Sequence, residues 1–233
     1  MMVDIHTHTH IQKVGNLNQL RFVVGKHSIG IHPWELIIPF DEILFAEKFL
    51  KLKKEFHPKV LAIGECGLDR RRTGIVDINI QEIVLELHMD WAQEVKRPLI
   101  LHCVRAEADL LKILKARKYQ GRILLHDFSG NLEAAQALLK YNCFFSFGRR
   151  PFNPDSHAAA VMKSLPKDKI FLETDDQTDF SIEDLYYKAA QLLKLDEKDC
   201  EELYLKSLEN FFSNLDDISS ADIIDDLRTS SIS

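Results

Sequence analysis

Apolar and polar positions alternate through Val3-Asp4-Ile5-His6-Thr7-His8, and this period of two predicts a short β-strand. A polar segment, His10 to Gln19, follows it. Phe22-Val23-Val24 and Ser28-Ile29-Gly30-Ile31-His32 again carry strand character, closed by Pro33, with Gly25-Lys26 as either a tight turn or a bulge in one long strand. Helical spacing runs from Asp41, a fitting N-cap, to Phe56, and then over 79–94, 106–117, 132–141, 156–165, 181–193 and 197–212. Between these helices lie apolar runs at 60–63, 98–101, 123–125 (after Arg122) and 170–172, and the strand-like Phe144-Phe145-Ser146-Phe147. Such runs mark strands covered on both faces, as in a parallel sheet.

Strands alternating with helices imply βαβ units, and seven or eight strands are legible. No glycine-rich phosphate loop follows the first strand, which disfavours an open dinucleotide-binding sheet. The expected fold is α/β, a TIM-like (β/α) barrel. With no internal repeat and no interior linker, residues 1–213 are expected to form one barrel domain. Residues 214–233, rich in Asp and Ser, are expected to be a mobile acidic tail or a short acidic surface helix.

The chain length of 233 residues is close to the roughly 250 of a single such barrel. No apolar run approaches the roughly 20 residues of a membrane span, and the polar start is unlike a signal peptide, so a cytoplasmic protein without a membrane partner is expected. The net charge of −6 argues against a broad basic coat for nucleic acid, but not against a local site where divalent metals reverse the charge. Cys66, Cys103, Cys143 and Cys200 form no C-x-x-C pair and suit buried thiols in a reducing compartment.

The chemistry enters with the polar residues that close the strands. His6 and His8 share one face of the first strand, since i and i+2 point the same way. Glu65, His102, His126 and Asp175 each end a later strand. In a (β/α) barrel those ends converge on one mouth, where active sites form. Gathering so many ionisable groups without a counter-charge is costly, and a pair of divalent metals supplies one.

The motifs Asp4-Ile5-His6-Thr7-His8, Gly30-Ile31-His32-Pro33, Ile63-Gly64-Glu65-Cys66-Gly67-Leu68-Asp69, Ile100-Leu101-His102, His126-Asp127-Phe128-Ser129-Gly130 and Leu172-Glu173-Thr174-Asp175 resemble those of the TatD family of metal-dependent deoxyribonucleases, in the same order. The resemblance runs from residue 3 to about residue 212. It implies that His6 and His8 hold one metal, that His102 and His126 hold the other, and that Glu65 bridges the two. Asp175 would bind the first metal and act as general base on a water shared by both. Mixed imidazole and carboxylate ligands suit zinc, manganese or iron better than magnesium. The implied activity is hydrolysis of DNA phosphodiester bonds with exonuclease character, by a monomer or weak oligomer.

Three places depart from the family pattern. The segment between His8 and Gly30 is short, so an early βα unit is expected to be shortened or missing. Val104 stands where an arginine is common, with Arg105 one residue later. Asp176-Gln177 follows Glu173-Thr174-Asp175 in place of a small residue and proline.

Arg70, Arg71 and Arg72 follow the Glu65 strand, and Arg149 and Arg150 follow the strand ending at Gly148. With Arg105 and the strand-end His32 they are the candidates for holding substrate phosphate. Trp34 can stack a base. His10, His27, His57, His88 and His157 are expected at the surface or in structural roles, and Cys66 and Cys103 should face the helices if their strands alternate regularly. Two rivals remain: the same metal chemistry on a small amide, ester or lactone, and a non-catalytic metal-binding scaffold.

Overall fold

The structure, a computed structural model, describes residues 1–8, 19–37, 39–213, 215 and 217–229. Its strands are β1 (Met2–Thr7), β2 (Gln19–Val23), β3 (Ser28–Ile29), β4 (Ala62–Asp69), β5 (Leu99–Val104), β6 (Ile123–Leu125), β7 (Cys143–Phe147) and β8 (Ile170–Leu172). Helices α1 (Glu42–Glu55), α2 (Ile78–Glu94), α3 (Glu107–Arg117), α4 (Leu132–Leu138) and α5 (Ala158–Ser164) separate the strands from β3 onward. Helices α6 (Ile182–Leu193), α7 (Glu197–Phe212) and α8 (Ser220–Thr229) follow β8. Side-chain caps start the helices where the sequence offers them: Asp41 accepts from the Ile43 and Leu44 amides, Asn131 from Ala134 and Ser181 from Asp184. No helix among the described residues is long and apolar enough to cross a membrane.

Every strand pairing is parallel. β1 pairs with β2, and β3 to β8 pair in chain order. Two junctions close the barrel. Thr7 bridges Asp175, with the His8 amide donating to the Asp175 carbonyl at 3.0 Å and the Asp175 amide to the His6 carbonyl at 2.9 Å. Val24 bridges Ser28 on the other side. Gly25-Lys26 is therefore a turn and not a bulge, and β3 is shorter than its apolar pattern suggests. The polar segment expected over 10–19 lies outside the described residues except Gln19, which starts β2. The early irregularity is the helix missing between β2 and β3. The helix expected to reach Tyr141 ends at Leu138 and closes in a 3₁₀ turn, Leu139–Tyr141.

Side-chain alternation divides the interior into layers. Leu99, Leu101, Ile123, Leu125, Phe145, Ile170 and Leu172 face the helices, in one cluster with Trp91, Met89 and Leu85 of α2. Ile100, Leu124, Phe144 and Phe171 point inward and meet Phe211 of α7, which closes the barrel floor with ring centroids 5.1 Å from Phe144 and 6.0 Å from Phe171. Two residues further along the same strands the inward layer becomes polar: His102, His126, Ser146 and Glu173. The C-terminal helix α8 buries Ile223 and Leu227 in the cluster that holds Leu20 and Phe22 of β2.

Candidate metal centre

Glu65 occupies its place because β4 breaks its own alternation. Ile63 pairs with Leu99 and Cys66 with Leu101, so three steps on β4 match two on β5. The extra residue leaves Ile63 and Cys66 both facing the helices and turns Glu65 inward, as a bulge does. Gly64 permits the close approach, at φ +134°, where a Cβ would stand 2.3 Å from the Ile100 carbonyl oxygen. Cys66 and Cys103 do face the helices, in the same cluster.

The two carboxylate oxygens of Glu65 address different residues. Oε1 lies 3.0 Å from His32 Nε2, 3.2 Å from His102 Nδ1 and 2.8 Å from His126 Nε2. Oε2 lies 3.3 Å from His6 Nε2 and 3.5 Å from His8 Nε2. Asp175 Oδ1 closes the second set, 3.7 Å from His6 and 3.5 Å from His8. All six residues expected as ligands therefore meet at one mouth. His32, expected to touch substrate, joins them at Glu65.

This donor set fits metal ions. His6 is fully buried, and neither of its ring nitrogens has a hydrogen-bond partner among the described residues. An imidazole buried in that state is costly unless something takes its lone pair. Ligand atoms of His6, His8 and Asp175 lie within 4.8 Å of one another, as do those of His32, Glu65 and His102, and of His6, Glu65 and His126. Burial and the charge of His126 lower the His6 pKa, which keeps the ring neutral and able to ligate. Burial pushes Glu65 up, but His126, His102 and His32 outweigh it and hold the carboxyl well below the usual range. Burial opposes charge on His126 too, yet Glu65 and Glu173 raise it well above an ordinary histidine. Burial and the Glu173 charge raise Asp175.

Two carboxylates behind the imidazoles escaped the sequence reading. Asp69 Oδ2 accepts from Trp34 Nε1 at 2.9 Å and faces His102 Nε2 at 3.2 Å, so that nitrogen carries the proton and Nδ1 turns its lone pair to the site. Burial raises Asp69, but Trp34, His102 and the Arg71 amide bring it down to about 2. Glu173 accepts from the Asp127 amide at 2.7 Å and stands 3.5 Å behind His126 Nδ1. The signal for both was parity: Glu173 is two residues before Asp175, and Asp69 two after Gly67 on the inward face. Metal affinity is expected to fall about 10–100-fold in Asp69→Ala, the usual cost of removing a histidine's orienting partner. Competition with a chelator measures it, and an unchanged affinity would reduce Asp69 to packing.

Asp4 shares the inward face of β1 below His6. It is fully buried, accepts from the Thr174 amide at 3.0 Å and from Thr174 Oγ1 at 2.8 Å, and burial raises its pKa to about 7. A raised carboxyl favours the folded state below its unfolded pKa of about 3.9 and loses that contribution as pH rises to about 7. Asp4→Asn keeps the neutral form's shape. Its unfolding free energy relative to wild type should therefore climb between pH 4 and 7, with a slope of at most about 1.4 kcal/mol per pH unit. Paired urea melts across that range give the slope, and a flat difference would refute the raised pKa.

The arginines follow strand ends, on the rim, but most are already engaged. Arg70 forks onto Asp109 at 2.6 and 2.7 Å, and Arg150 onto Asp127 at 2.7 and 3.0 Å. Arg149 meets Asp179 at 2.6 Å, Arg71 meets Asp69 at 3.4 Å, and Arg72 lies 5.5 Å from the Trp34 ring centroid. Arg105 is exposed. Of the other histidines, His88 is buried and accepts from the Ile31 amide at 3.0 Å, and burial takes its pKa to about 4. His27 is buried, with Nδ1 accepting from the Val23 amide at 2.8 Å and Nε2 3.4 Å from Asp226. His10 lies outside the described residues.

The chain is similar to several known proteins. An uncharacterised metal-dependent hydrolase of Bacillus subtilis, YabD, is 36% identical over 152 residues, which are 64% of this chain and 57% of that protein. A human protein named 3'-5' RNA nuclease TATDN2 is 33% identical over 125 residues, 51% of this chain and 16% of its own length. The chain thus spans under three fifths of the curated relatives it matches. Among solved structures, YjjV, a TatD homologue of Escherichia coli, superposes with a TM-score of 0.69 at 20% identity over 84% of this chain and 77% of its own, a likeness of fold. The model of the family described as TatD related DNase matches residues 1–216, nearly the whole chain and a span that includes the cluster around Glu65, so the chain belongs to that family.

Proposed function

We propose that the protein is a metal-dependent nuclease that hydrolyses phosphodiester bonds of DNA at two metal ions. The observation that carries this reading is the division of Glu65, with Oε1 serving His102 and His126 while Oε2 serves His6 and His8. His6, His8 and Asp175 would hold one ion, His102 and His126 the other, with Glu65 common to both. Divalent metals in such a pair supply Lewis-acid polarisation of the phosphoryl oxygen and a water activated for in-line attack. The rest falls to the chain's own groups. Asp175, raised by burial and the Glu173 charge, accepts the water's proton. His32, 21% exposed at the edge of the cluster, faces the substrate side. The exposed Arg105 and the rim arginines, whose carboxylate partners a phosphate can displace, orient the strand.

The test is hydrolysis of an end-labelled single-stranded DNA oligonucleotide with added Mn²⁺ or Mg²⁺, beside an EDTA control and Asp175→Asn. Stepwise shortening of the labelled strand, absent in EDTA and lost in the variant, is the expected result. An RNA oligonucleotide runs in parallel, because the human relative is named an RNA nuclease. A metal-loaded wild type that cleaves neither strand would sink the nuclease reading in favour of a small ester, amide or lactone.

A further inference from the structure

The opposite end of the barrel carries charge that hydrolysis at the metal centre leaves unused. Arg122, Asn142 and Lys169 immediately precede β6, β7 and β8, three neighbouring strands. They line one cavity beneath the apolar floor of Leu124, Phe144 and Phe171. At roughly 3.3 Å per residue, Arg122 lies about 13 Å along its strand from His126.

With Gln120, Asn210 and Ser213 these residues line a cavity of about 220 Å³, with no carboxylate among its described lining residues. Arg122 Nη2 donates to Ser213 Oγ at 2.7 Å, and Lys169 Nζ lies 3.8 Å from the Phe144 ring centroid. Neither cation is ion-paired with any described residue, whereas Arg70, Arg97, Arg117, Arg149 and Arg150 all are. Burial lowers the Arg122 pKa. It lowers Lys169 too, against the opposing charge of Asp168, and the Arg122 charge adds to that lowering. Two half-buried cations thus repel each other across a polar cavity, in a chain of net charge −6. An anion between them removes both costs.

We propose that this rim binds an oxyanion of the phosphate class, clasped by the Arg122 fork and the Lys169 ammonium with Asn142 and Asn210 as further donors. Pockets for drug-sized ligands run to about 300–1,000 Å³, so the smaller cavity here suits a free phosphate or the terminal phosphate of a small molecule. The proposal is independent of the reaction at the other mouth.

Calorimetric titration of the full chain with inorganic phosphate, and separately with a 5′-mononucleotide, tests it. Each is run with and without EDTA, so that phosphate held by metals drops out. Binding that survives EDTA and weakens about tenfold or more in Arg122→Gln and in Lys169→Gln is the expected result. Arg122→Lys, which keeps the charge, should retain part of it. Binding of phosphate alone marks a free anion, and binding of both marks a terminal phosphate; either supports the site. Wild type in EDTA that takes up neither ligand overturns the proposal without reference to any variant. So does a variant that loses thermal stability but binds phosphate as wild type does, which would leave Arg122 as a pin for Ser213.

Discussion

Replacing Glu65 with glutamine is expected to strip metal from both halves of the site and to lower hydrolysis at least about a thousandfold, some 4 kcal/mol of transition-state stabilisation. No other carboxylate in the cluster reaches five imidazoles at once. An amide offers one weak acceptor where two anionic oxygens stood, and it turns an NH₂ donor toward one set of rings. The metal-free protein should weaken as well. Glu65 supplies the leading charge that holds the proton on the buried His126, and losing one partner of a buried pair typically costs about 3–5 kcal/mol. Metal analysis of the purified variant and its oligonucleotide turnover are the measurements. Two metal equivalents retained in Glu65→Gln would show that the ions do not share this residue.

Phe211→Ala should produce a comparable loss of stability with the least effect on chemistry. Its ring is buried against Phe144, Phe171 and Phe212 and closes the floor of the barrel. Truncating such a side chain costs about 3–5 kcal/mol, because the strands around it cannot collapse into the void. For a chain of this length that is roughly 6–20 °C in Tm. Metal content and turnover per folded molecule should stay at wild-type level, since the polar layer of His102 and His126 lies above an intact layer of Ile100 and Leu124. A calorimetric scan beside an activity assay at low temperature separates the two effects. Turnover that falls in step with Tm would mean that floor and mouth are coupled.

The legible part of the site was the part written along single strands. His102, His126 and Asp175 each terminate an apolar run, and the parallel topology brings such ends together whatever the loops do. The orientation of Glu65 was not legible that way. Its facing depends on a register shift against β5, which no residue of β4 announces by itself. The arginines illustrate the same limit. Arg70, Arg149 and Arg150 read as free phosphate donors because their partners, Asp109, Asp179 and Asp127, lie 39, 30 and 23 residues away. Gly25-Lys26 fits a turn and a bulge equally well, and only the parallel bridge of Val24 to Ser28 decides between them. Asp69 and Glu173 stood inside quoted motifs, yet their work is done on rings contributed by other strands.

The missing helix between β2 and β3 has a consequence for how the molecule is made. The face of β2 that carries Leu20 and Phe22 is covered by Ile223 and Leu227 of α8, nearly the whole chain away. On a ribosome delivering residues in order, that face waits exposed until residues 220–229 have emerged. Sealing of the barrel's first strands therefore follows the making of every other described element, and until then the nascent chain carries a sticky apolar face.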